Sequence, residues 1–320
     1  MSMDTAAAVA SQYDLGRPLG EPAYADRGEL GLIYRLDTQR GRYAVKESLI
    51  AVTETDAAAD VAFQLAAAEA GVPLPRPVRG RDGRVLVPGK EVGSTAEVLR
   101  VYEWADLVDD EDITPAELGE VTAALHGVAH PADDPVADWF AEPAGALAWY
   151  ALLGTGETAR APWTEPLRVW LPELVALDTE VRKPEPDRAR RCHLDLNLEN
   201  VRRSTGGGVV VLDWENSGAG QPERELAMVL SDLAADRSTD AAVEAYAAYR
   251  AAGGPAELTG PADFSTAIAV QGHLLGFYGW RAVDPASSAD DKERSLDRLQ
   301  RMLARPLTRA SIVELLRALR

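Results

Sequence analysis

Four polar side chains between residues 193 and 213 have the types and spacing needed for chemistry on a phosphate group. His193, Asp195 and Asn200 form the pattern His-x-Asp-x4-Asn, and Asp213 begins the triplet Asp-Trp-Glu. One carboxylate can orient or accept an alcohol proton, while an amide oxygen and a second carboxylate suit Mg²⁺. The segment therefore predicts phosphoryl transfer to a hydroxyl group; the alternative is a hairpin with solvated carboxylates.

The residues between Asn200 and Asp213 predict the hairpin that would bring these polar side chains together. A short strand begins at Val201, the Gly- and Ser-rich segment Ser204–Gly208 predicts a turn, and Val209–Leu212 predicts a buried strand. A hairpin returns the chain beside itself, so we expect the polar side chains at its two ends to face one point.

A second candidate element lies near the N-terminus. Gly28 and Gly31 belong to a loop before a predicted hairpin, and the second strand of that hairpin, Tyr43–Lys46, ends on a lysine. Small residues allow backbone N–H groups to approach a phosphate closely. The loop is thus a candidate cover for nucleotide phosphates, although its glycines do not complete the pattern G-x-G-x-x-G.

In this order the segments resemble the eukaryotic-type kinase superfamily, and the His-x-Asp and Asp-Trp-Glu forms resemble its aminoglycoside phosphotransferase and choline kinase branch. The resemblance implies a bilobal, protein-kinase-like α+β fold. Its N-lobe, residues 1–103, would contain an antiparallel sheet with one main helix and bind the nucleotide. The larger, mainly helical C-lobe, residues 104–320, would carry catalysis and acceptor binding, with a hinge at about residues 102–106.

The resemblance also implies a role for each site residue. Asp195 would orient or accept the acceptor's hydroxyl proton, and Asn200 and Asp213 would hold Mg²⁺. The nucleotide, ATP or GTP, would lie between the lobes. The residues expected to bind it are Lys46, Asp60, Gly28, Gly31, Glu103, Trp104 and Ala105.

The partner of Lys46 remains open at this point. In the family this lysine contacts the α- and β-phosphates and pairs with a glutamate of the first N-lobe helix, which is predicted here at Thr55–Ala70. The matching position, about three turns before Gly71-Val-Pro-Leu-Pro75, holds Asp60, which is one methylene shorter. Either Asp60 reaches the lysine or the helix packs closer to it.

Three other residues are expected to support the catalytic loop or the core. His193 would brace the loop, and Glu225, which stands where the family commonly has aspartate, would help to fix it. His126 is expected to be a core histidine. Leu194 takes the place of the usual glycine before the catalytic aspartate, so the local backbone is expected to differ slightly.

Capping residues and apolar periodicity predict further elements. Thr114 is a helix N-cap, with Pro115 at the first helical position and Glu117 completing a capping box. Pro77–Val87 predicts a strand and Asp232–Ala252 predicts a single helix.

Composition limits the class of protein. The 320 residues include 33 basic and 51 acidic side chains, giving a net charge of −18, which opposes nucleic-acid binding. The single cysteine, Cys192, excludes an intrachain disulfide and a cysteine-based zinc site. No apolar run approaches the roughly 20 residues of a membrane span, and the N-terminus does not resemble a signal peptide. We therefore expect a soluble cytoplasmic protein, either a monomer or a homodimer.

The acidic balance suits a small cationic acceptor, although solubility or genome composition explains it equally well. The preferred prediction is phosphorylation of an aminoglycoside or a similar cationic antibiotic. Alternatives are a kinase for a small alcohol, amino alcohol or sugar, and a kinase for a macrolide or peptide antibiotic. A rival from another class is a nucleotide-binding pseudokinase that acts as a regulatory module.

Overall fold

The computed structural model describes residues 1–28, 31–108 and 112–320. Glu29 and Leu30 of the predicted glycine loop, and residues 109–111 of the acidic segment, lie outside the described residues. The strands are β1 (Ala23–Arg27), β2 (Gly31–Thr38), β3 (Gly41–Ser48), β4 (Pro77–Val78), β5 (Val87–Pro88), β6 (Val98–Glu103), β7 (Arg190–Cys192), β8 (Val201–Arg203), β9 (Val209–Val211) and β10 (Gly218–Gly220). The helices are α1 (Met3–Gln12), α2 (Glu54–Glu69), α3 (Pro115–Gly127), α4 (Asp138–Ala141), α5 (Ala146–Ala159), α6 (Thr164–Asp178), α7 (Pro222–Asp236), α8 (Thr239–Ala251), α9 (Ser265–Val283), α10 (Ala289–Ala304) and α11 (Arg309–Ala318).

The chain forms two compact units. The first contains residues 1–113 together with residues 198–217, and the second contains residues 114–197 together with residues 218–320. The predicted assignment of nucleotide binding to residues 1–103 and of catalysis and acceptor binding to residues 104–320 remains a prediction.

An antiparallel sheet dominates the first unit. Its strand order is β1-β2-β3-β6-β4, with β5 also paired to β6. Helix α1 covers part of this sheet, because its buried residues Val9 and Ala10 share an apolar core with Leu36, Val45 and Leu99 of the strands. The separate pair β8 and β9 forms the predicted hairpin, in which Val201 lies opposite Val211.

Helix α2 is the main helix that accompanies the sheet. Its N-cap Thr53 accepts a hydrogen bond from the Asp56 N–H at 3.2 Å, which satisfies one of the unpaired donors of the first turn. Ala57 and Val61 pack against Val85 and Leu86 in a small second core. The helix predicted at Thr55–Ala70 is thus confirmed within one residue at each end.

The second unit is mainly helical. One of its apolar cores joins α5, α6, α9 and α10 through residues such as Trp149, Leu167, Leu275 and Leu299. The short strands β7 and β10 pair antiparallel at one place in this unit. Together with the sheet of the first unit, this confirms the predicted α+β class with an N-terminal antiparallel sheet and a helical C-terminal part.

The capping prediction at the start of α3 is confirmed. The Thr114 hydroxyl accepts a hydrogen bond from the Glu117 N–H at 3.2 Å, and the Glu117 carboxylate accepts one from the Thr114 N–H at 2.8 Å. The side chain of each residue accepts a hydrogen bond from the backbone N–H of the other. The residue types at these two positions therefore determine where the helix begins.

Two element predictions are wrong. The single helix predicted at Asp232–Ala252 is instead the end of α7 followed by α8, because Ser238 accepts a hydrogen bond from the Ala241 N–H at 3.1 Å and starts a new helix. The strand predicted at Pro77–Val87 is limited to two residues in β4 and the first residue of β5. Among the described residues, no helix has the length and apolar character needed to cross a membrane.

Candidate active site

Lys46 is a buried cation in the middle of the first unit's sheet. On β3 it lies opposite Ile33 of β2 and Arg100 of β6, and only 7% of the residue is exposed. Its Nζ is 2.9 Å from Oδ1 of Asp213 and 2.8 Å from Oε2 of Glu215. The structure therefore brings together the predicted phosphate-binding lysine and one of the two predicted metal ligands.

The two carboxylates keep Lys46 charged. Burial by itself lowers the pKa of a lysine, because the low-dielectric interior disfavours the ammonium ion. The negative charges of Glu215 and Asp213, with a hydrogen bond to Glu215, outweigh that effect and raise the pKa of Lys46 above its usual value. Lys46 is thus a permanent positive charge suited to phosphate oxygens.

The β8–β9 hairpin places the two predicted metal ligands next to each other along the ladder. The Leu212 N–H donates to the backbone oxygen of Asn200 at 2.7 Å, so Asp213 follows directly after the residue paired with Asn200. Asp213 has a left-handed backbone, with φ of 55°, and its side chain is 37% exposed. For a residue other than glycine this conformation is strained and often marks a functional site.

The tryptophan of the Asp-Trp-Glu triplet anchors the segment on α2. The Trp214 ring contacts the Phe63 ring edge-to-face with centroids 5.4 Å apart, and the Trp214 indole N–H donates to the Val211 backbone oxygen at 3.1 Å. Trp214 is 3% exposed. This packing fixes the backbone from which Asp213 and Glu215 reach Lys46.

Asp60 lies on α2 beside Arg100. Its Oδ2 is 3.7 Å from Nη1 of Arg100, and its Oδ1 accepts a hydrogen bond from the Ser217 hydroxyl at 3.2 Å. Asp213 and Glu215 provide carboxylates that contact Lys46. The predicted role of Asp60 in nucleotide binding remains a prediction.

Sequence reasoning missed Arg100 and assigned no role to Glu215. Arg100 is 2% exposed in the otherwise apolar segment Leu99-Arg100-Val101, and its Nε is 3.5 Å from Oε1 of Glu215. A charged residue at the centre of an apolar strand requires a nearby counter-charge. The signal was present in the sequence, but the identity of the partner depends on which elements pack together.

The glycine loop contributes a close backbone approach at Gly31. The Gly28 N–H donates to the Gly31 backbone oxygen at 3.0 Å. A Cβ atom on Gly31 would lie 2.8 Å from the Glu47 backbone oxygen and 3.0 Å from Cε of Lys46. Gly31 therefore lies directly against the lysine stem, where a larger side chain would displace it.

The predicted hinge residues begin at the end of β6. The N–H groups of Glu103 and Trp104 donate to the backbone oxygens of Arg76 and Arg42, at 2.8 and 3.0 Å. The Trp104 indole N–H donates to Asp106 at 3.0 Å. These protein contacts fix the strand end, and the predicted contact of Glu103, Trp104 and Ala105 with an adenine remains a prediction.

In the second unit, the backbone before Asp195 is held in a left-handed conformation. Leu194 has φ of 62°, the region that glycine adopts without strain, and its N–H donates to the buried carboxylate of Glu225. The Asn197 amide donates to Oδ1 of Asp195 at 2.9 Å. The leucine thus keeps the backbone shape that glycine would favour, and Glu225 helps to fix the loop as expected.

A buried hydrogen-bond chain supports Glu225. The Ala256 N–H donates to the Tyr249 hydroxyl oxygen at 2.8 Å, the hydroxyl lies 2.9 Å from Nδ1 of His126, and Nε2 of His126 lies 2.9 Å from Glu225. Each of these three contacts has one donor and one acceptor when the Tyr249 hydroxyl donates to Nδ1 of His126 and the His126 Nε2–H donates to the Glu225 carboxylate. Burial raises the pKa of Glu225, but His126 and the Leu194 N–H outweigh it and lower the pKa below its usual value.

Asp232, in the last turns of α7, is an acidic neighbour of Asp195 that sequence reasoning did not identify. Desolvation by the surrounding protein, followed by the negative charges of Asp236 and Asp195, raises the pKa of Asp232 to about 7. The residue nevertheless reaches solvent, which screens these charges. Asp232 thus lies within electrostatic reach of both Asp236 and Asp195.

The predicted metal ligands fit magnesium by the chemistry of their donor atoms. Within residues 1–28, 31–108 and 112–320, no group of three His, Cys, Asp or Glu side chains is arranged to hold a metal ion. Asn200 and Asp213 supply one amide and one carboxylate group, and Mg²⁺ is commonly held by few protein oxygens with phosphates and waters as its other ligands.

Comparison with protein-family models identifies the chain. Residues 25–261 match the model of the phosphotransferase enzyme family, named APH. The chain belongs to this family. The predicted resemblance is confirmed, and so is the prediction that the protein is an enzyme that transfers a phosphoryl group.

Solved structures show the same fold for this phosphotransferase. Spectinomycin phosphotransferase APH(9)-Ia, solved with ADP and spectinomycin, aligns with a TM-score of 0.66 and 12% identity over 92% of each chain. Amicoumacin kinase hAmiN, solved with AMP-PNP, Ca²⁺ and Ami, has a TM-score of 0.63 and 16% identity over 94% of this chain and 92% of its own. Choline kinase LicA from Streptococcus pneumoniae has a TM-score of 0.51 and 15% identity over 91% of this chain and 95% of its own. A comparison with curated protein sequences finds no match.

Proposed function

We propose that this phosphotransferase transfers the γ-phosphate of ATP or GTP to a hydroxyl group of a small cationic molecule, with an aminoglycoside or related antibiotic as the preferred acceptor. The observation that carries the proposal is the contact between Lys46 and Asp213 at 2.9 Å. It joins a permanent cation and a partly exposed carboxylate, which are the groups that phosphoryl transfer requires for the nucleotide and its metal ion.

The first unit would bind the nucleotide. Lys46 would contact the α- and β-phosphates, and the backbone near Gly28 and Gly31 would lie over them. Structures of family relatives with ADP and AMP-PNP support nucleotide binding. Glu103, Trp104 and Ala105 would meet the adenine or guanine edge, and Asp60 would support this unit through Arg100 and Ser217.

Asn200 and Asp213 would hold Mg²⁺. A bound Mg²⁺ would neutralise the negative charge of the phosphates. The partly exposed carboxylate of Asp213 supports this role, because a ligand must be reachable from solvent before the metal binds.

Asp195 would accept or orient the acceptor's hydroxyl proton. An ordinary carboxylate suffices for this role when little proton transfer precedes the breaking of the phosphorus–oxygen bond. The left-handed Leu194 and its hydrogen bond to Glu225 would hold the backbone of Asp195 in place, so that catalysis depends mainly on positioning.

The net charge of −18 and the acidic group of Asp195, Asp232 and Asp236 support a cationic acceptor. A second candidate function is an amino-alcohol kinase, which the fold likeness to choline kinase LicA supports. A pseudokinase is the third; the retained Lys46, Asp195, Asn200 and Asp213 argue against it.

The proposal is tested by measuring ADP release in the presence of Mg²⁺ and ATP or GTP over a panel of acceptors. The panel contains aminoglycosides, other cationic antibiotics, amino alcohols and neutral sugars. Turnover that is stimulated most by a cationic antibiotic supports the preferred acceptor. Stimulation by an amino alcohol alone favours the second candidate, while tight nucleotide binding without turnover on any acceptor favours the pseudokinase.

A further inference from the structure

Two buried cations lie side by side on the sheet of the first unit. Lys46 of β3 and Arg100 of β6 are directly opposite each other in the strand register, and they are 7% and 2% exposed. Cross-strand neighbours of like charge repel each other, and burial increases that repulsion. Nearby carboxylates are therefore needed to offset this repulsion.

Glu215 is the carboxylate that reaches both cations. Its Oε2 is 2.8 Å from Nζ of Lys46 and its Oε1 is 3.5 Å from Nε of Arg100. The side chains of Glu215 and Lys46 are each 9% exposed, whereas the Asp213 side chain, the other partner of Lys46, is 37% exposed. Glu215 thus forms the more deeply buried of the two ion pairs.

The helix carboxylate acts on the neighbouring cation. Asp60 of α2 lies 3.7 Å from Arg100, and the Arg100 guanidinium also lies 3.3 Å from the Tyr102 hydroxyl. Arg100 therefore stands between the carboxylates of Asp60 and Glu215. Negative and positive side chains therefore alternate from helix α2 to the lysine, and Glu215 is the carboxylate next to the lysine.

We infer that Glu215 is a positioning residue that holds Lys46 in its phosphate-binding place and performs the task expected of a helix carboxylate. This inference rests on the proposed nucleotide-binding function of Lys46. Asp213 is the proposed metal ligand, so its carboxylate is shared between two tasks. Glu215 keeps the buried lysine paired whether or not a metal ion is present.

The experiment is a double-mutant cycle of Lys46→Met and Glu215→Gln, with ADP affinity measured by calorimetry in EDTA and again in Mg²⁺. If Glu215 acts through Lys46, Glu215→Gln weakens ADP binding about tenfold in both conditions. The double variant then binds ADP no more weakly than Lys46→Met alone. Glu91→Gln is the matched control, because its partner Arg84 is 3.5 Å away at the surface; its ADP affinity should not change.

If Glu215→Gln loses ADP affinity only in Mg²⁺, and this loss adds to that of Lys46→Met, the inference is overturned and Glu215 is assigned to the metal. Unchanged ADP affinity in Glu215→Gln would overturn it as well. Where Glu215→Gln does not fold, Glu215→Asp replaces it, with a smaller loss expected in the same direction and the same lack of additivity with Lys46→Met.

The double-mutant cycle is repeated with the free energy of unfolding in urea as the measured quantity and no nucleotide present. This measurement tests the inference separately from the proposed function. Coupled stability losses of the two variants support the pairing of Glu215 with Lys46, and strictly additive losses contradict it. Should Lys46→Met leave ADP affinity unchanged while the unfolding cycle shows coupling, the proposed function fails and the pairing stands.

Discussion

At the scale of single residues, each of two predicted motif segments contains a residue with a left-handed backbone. Leu194 and Asp213 both have left-handed conformations, with φ of 62° and 55°. Such a conformation costs a residue such as leucine about 1–2 kcal/mol, whereas aspartate adopts it more readily. The cost at Leu194 is offset by its buried hydrogen bond to Glu225, which is a tertiary contact and is not visible in local sequence.

The sequence predicted candidate site residues, but it did not predict which of them pair with one another. Motifs, spacing and the family resemblance predict roles for Lys46, Asp195, Asn200 and Asp213, and these roles remain predictions. The contact of Lys46 with Glu215 depends on strand register and on where the Asp-Trp-Glu segment packs. A register shift of one residue would point Lys46 to the opposite face of the sheet, and no local pattern fixes that register fully.

The titration of Asp232 gives a prediction at this scale. Its pKa is about 7 in the folded protein, against an ordinary value of 3.8. A raised folded pKa contributes stability that is fully present below the unfolded pKa and is lost as the pH rises through the folded pKa. Between about pH 4 and pH 7 we therefore expect the wild type to lose stability relative to Asp232→Asn.

Urea unfolding of both proteins at pH 5 and pH 8 measures this difference. Asp232→Asn should gain stability over the wild type at pH 8 relative to pH 5, by a modest amount because the side chain reaches solvent. Asp187→Asn, at an exposed position, is the control. Parallel pH profiles for Asp232→Asn and the wild type would contradict the assigned pKa.

At the scale of elements, the strongly patterned segments were predictable. Helix α2 and the capping box of α3 follow from N-cap residues and apolar periodicity. The break between α7 and α8 was missed, because the apolar and helix-favouring residues continue past Ser238 and conceal its capping role. The short strand β10 was missed as well, since its Gly-Ala-Gly sequence is typical of a loop and its partner β7 is distant in sequence.

The close approach of β2 to the lysine gives the element-scale prediction. Gly31→Ala places a Cβ 2.8 Å from the Glu47 backbone oxygen and 3.0 Å from Cε of Lys46, so the strand or the lysine must move. We expect a loss of about 1–3 kcal/mol in the free energy of unfolding, together with a raised KM for ATP. Denaturant unfolding and initial-rate kinetics measure the two effects.

Gly20→Ala is the matched control for this substitution. A Cβ on Gly20 has no atom within 4 Å, so its stability should stay within about 0.5 kcal/mol of the wild type. Equal free energies of unfolding and equal KM values for ATP in Gly31→Ala and Gly20→Ala would show that the approach at Gly31 is not tight.

At the scale of the whole molecule, charge and chain division are the informative features. The first unit contains Lys46 together with Asn200 and Asp213, and the second contains Asp195. The inclusion of residues 198–217 with the N-terminal sheet results from long-range packing, which the order of the sequence motifs does not predict. The net charge of −18 is read directly from composition.

This charge predicts a salt effect on acceptor binding. Attraction between an acidic protein and a cationic acceptor is screened as the ionic strength rises, with a screening length of about 10 Å at 0.1 M salt. The KM of a cationic acceptor should rise a few-fold from about 0.05 to 0.5 M salt, while the KM of a neutral acceptor should change little. Equal salt dependence for both acceptors would assign the acidic balance to solubility.

The most direct test of the central claim follows the γ-phosphate itself. ATP labelled in that phosphate is incubated with Mg²⁺ and the best acceptor, using wild type, Asp195→Asn and the exposed-site control Asp187→Asn. We predict label on an acceptor hydroxyl with wild type and control, and a fall in kcat of at least about 100-fold in Asp195→Asn with ATP affinity within about threefold. Transfer by Asp195→Asn at the wild-type rate, or no transfer by the wild type to any hydroxyl acceptor, would contradict this account.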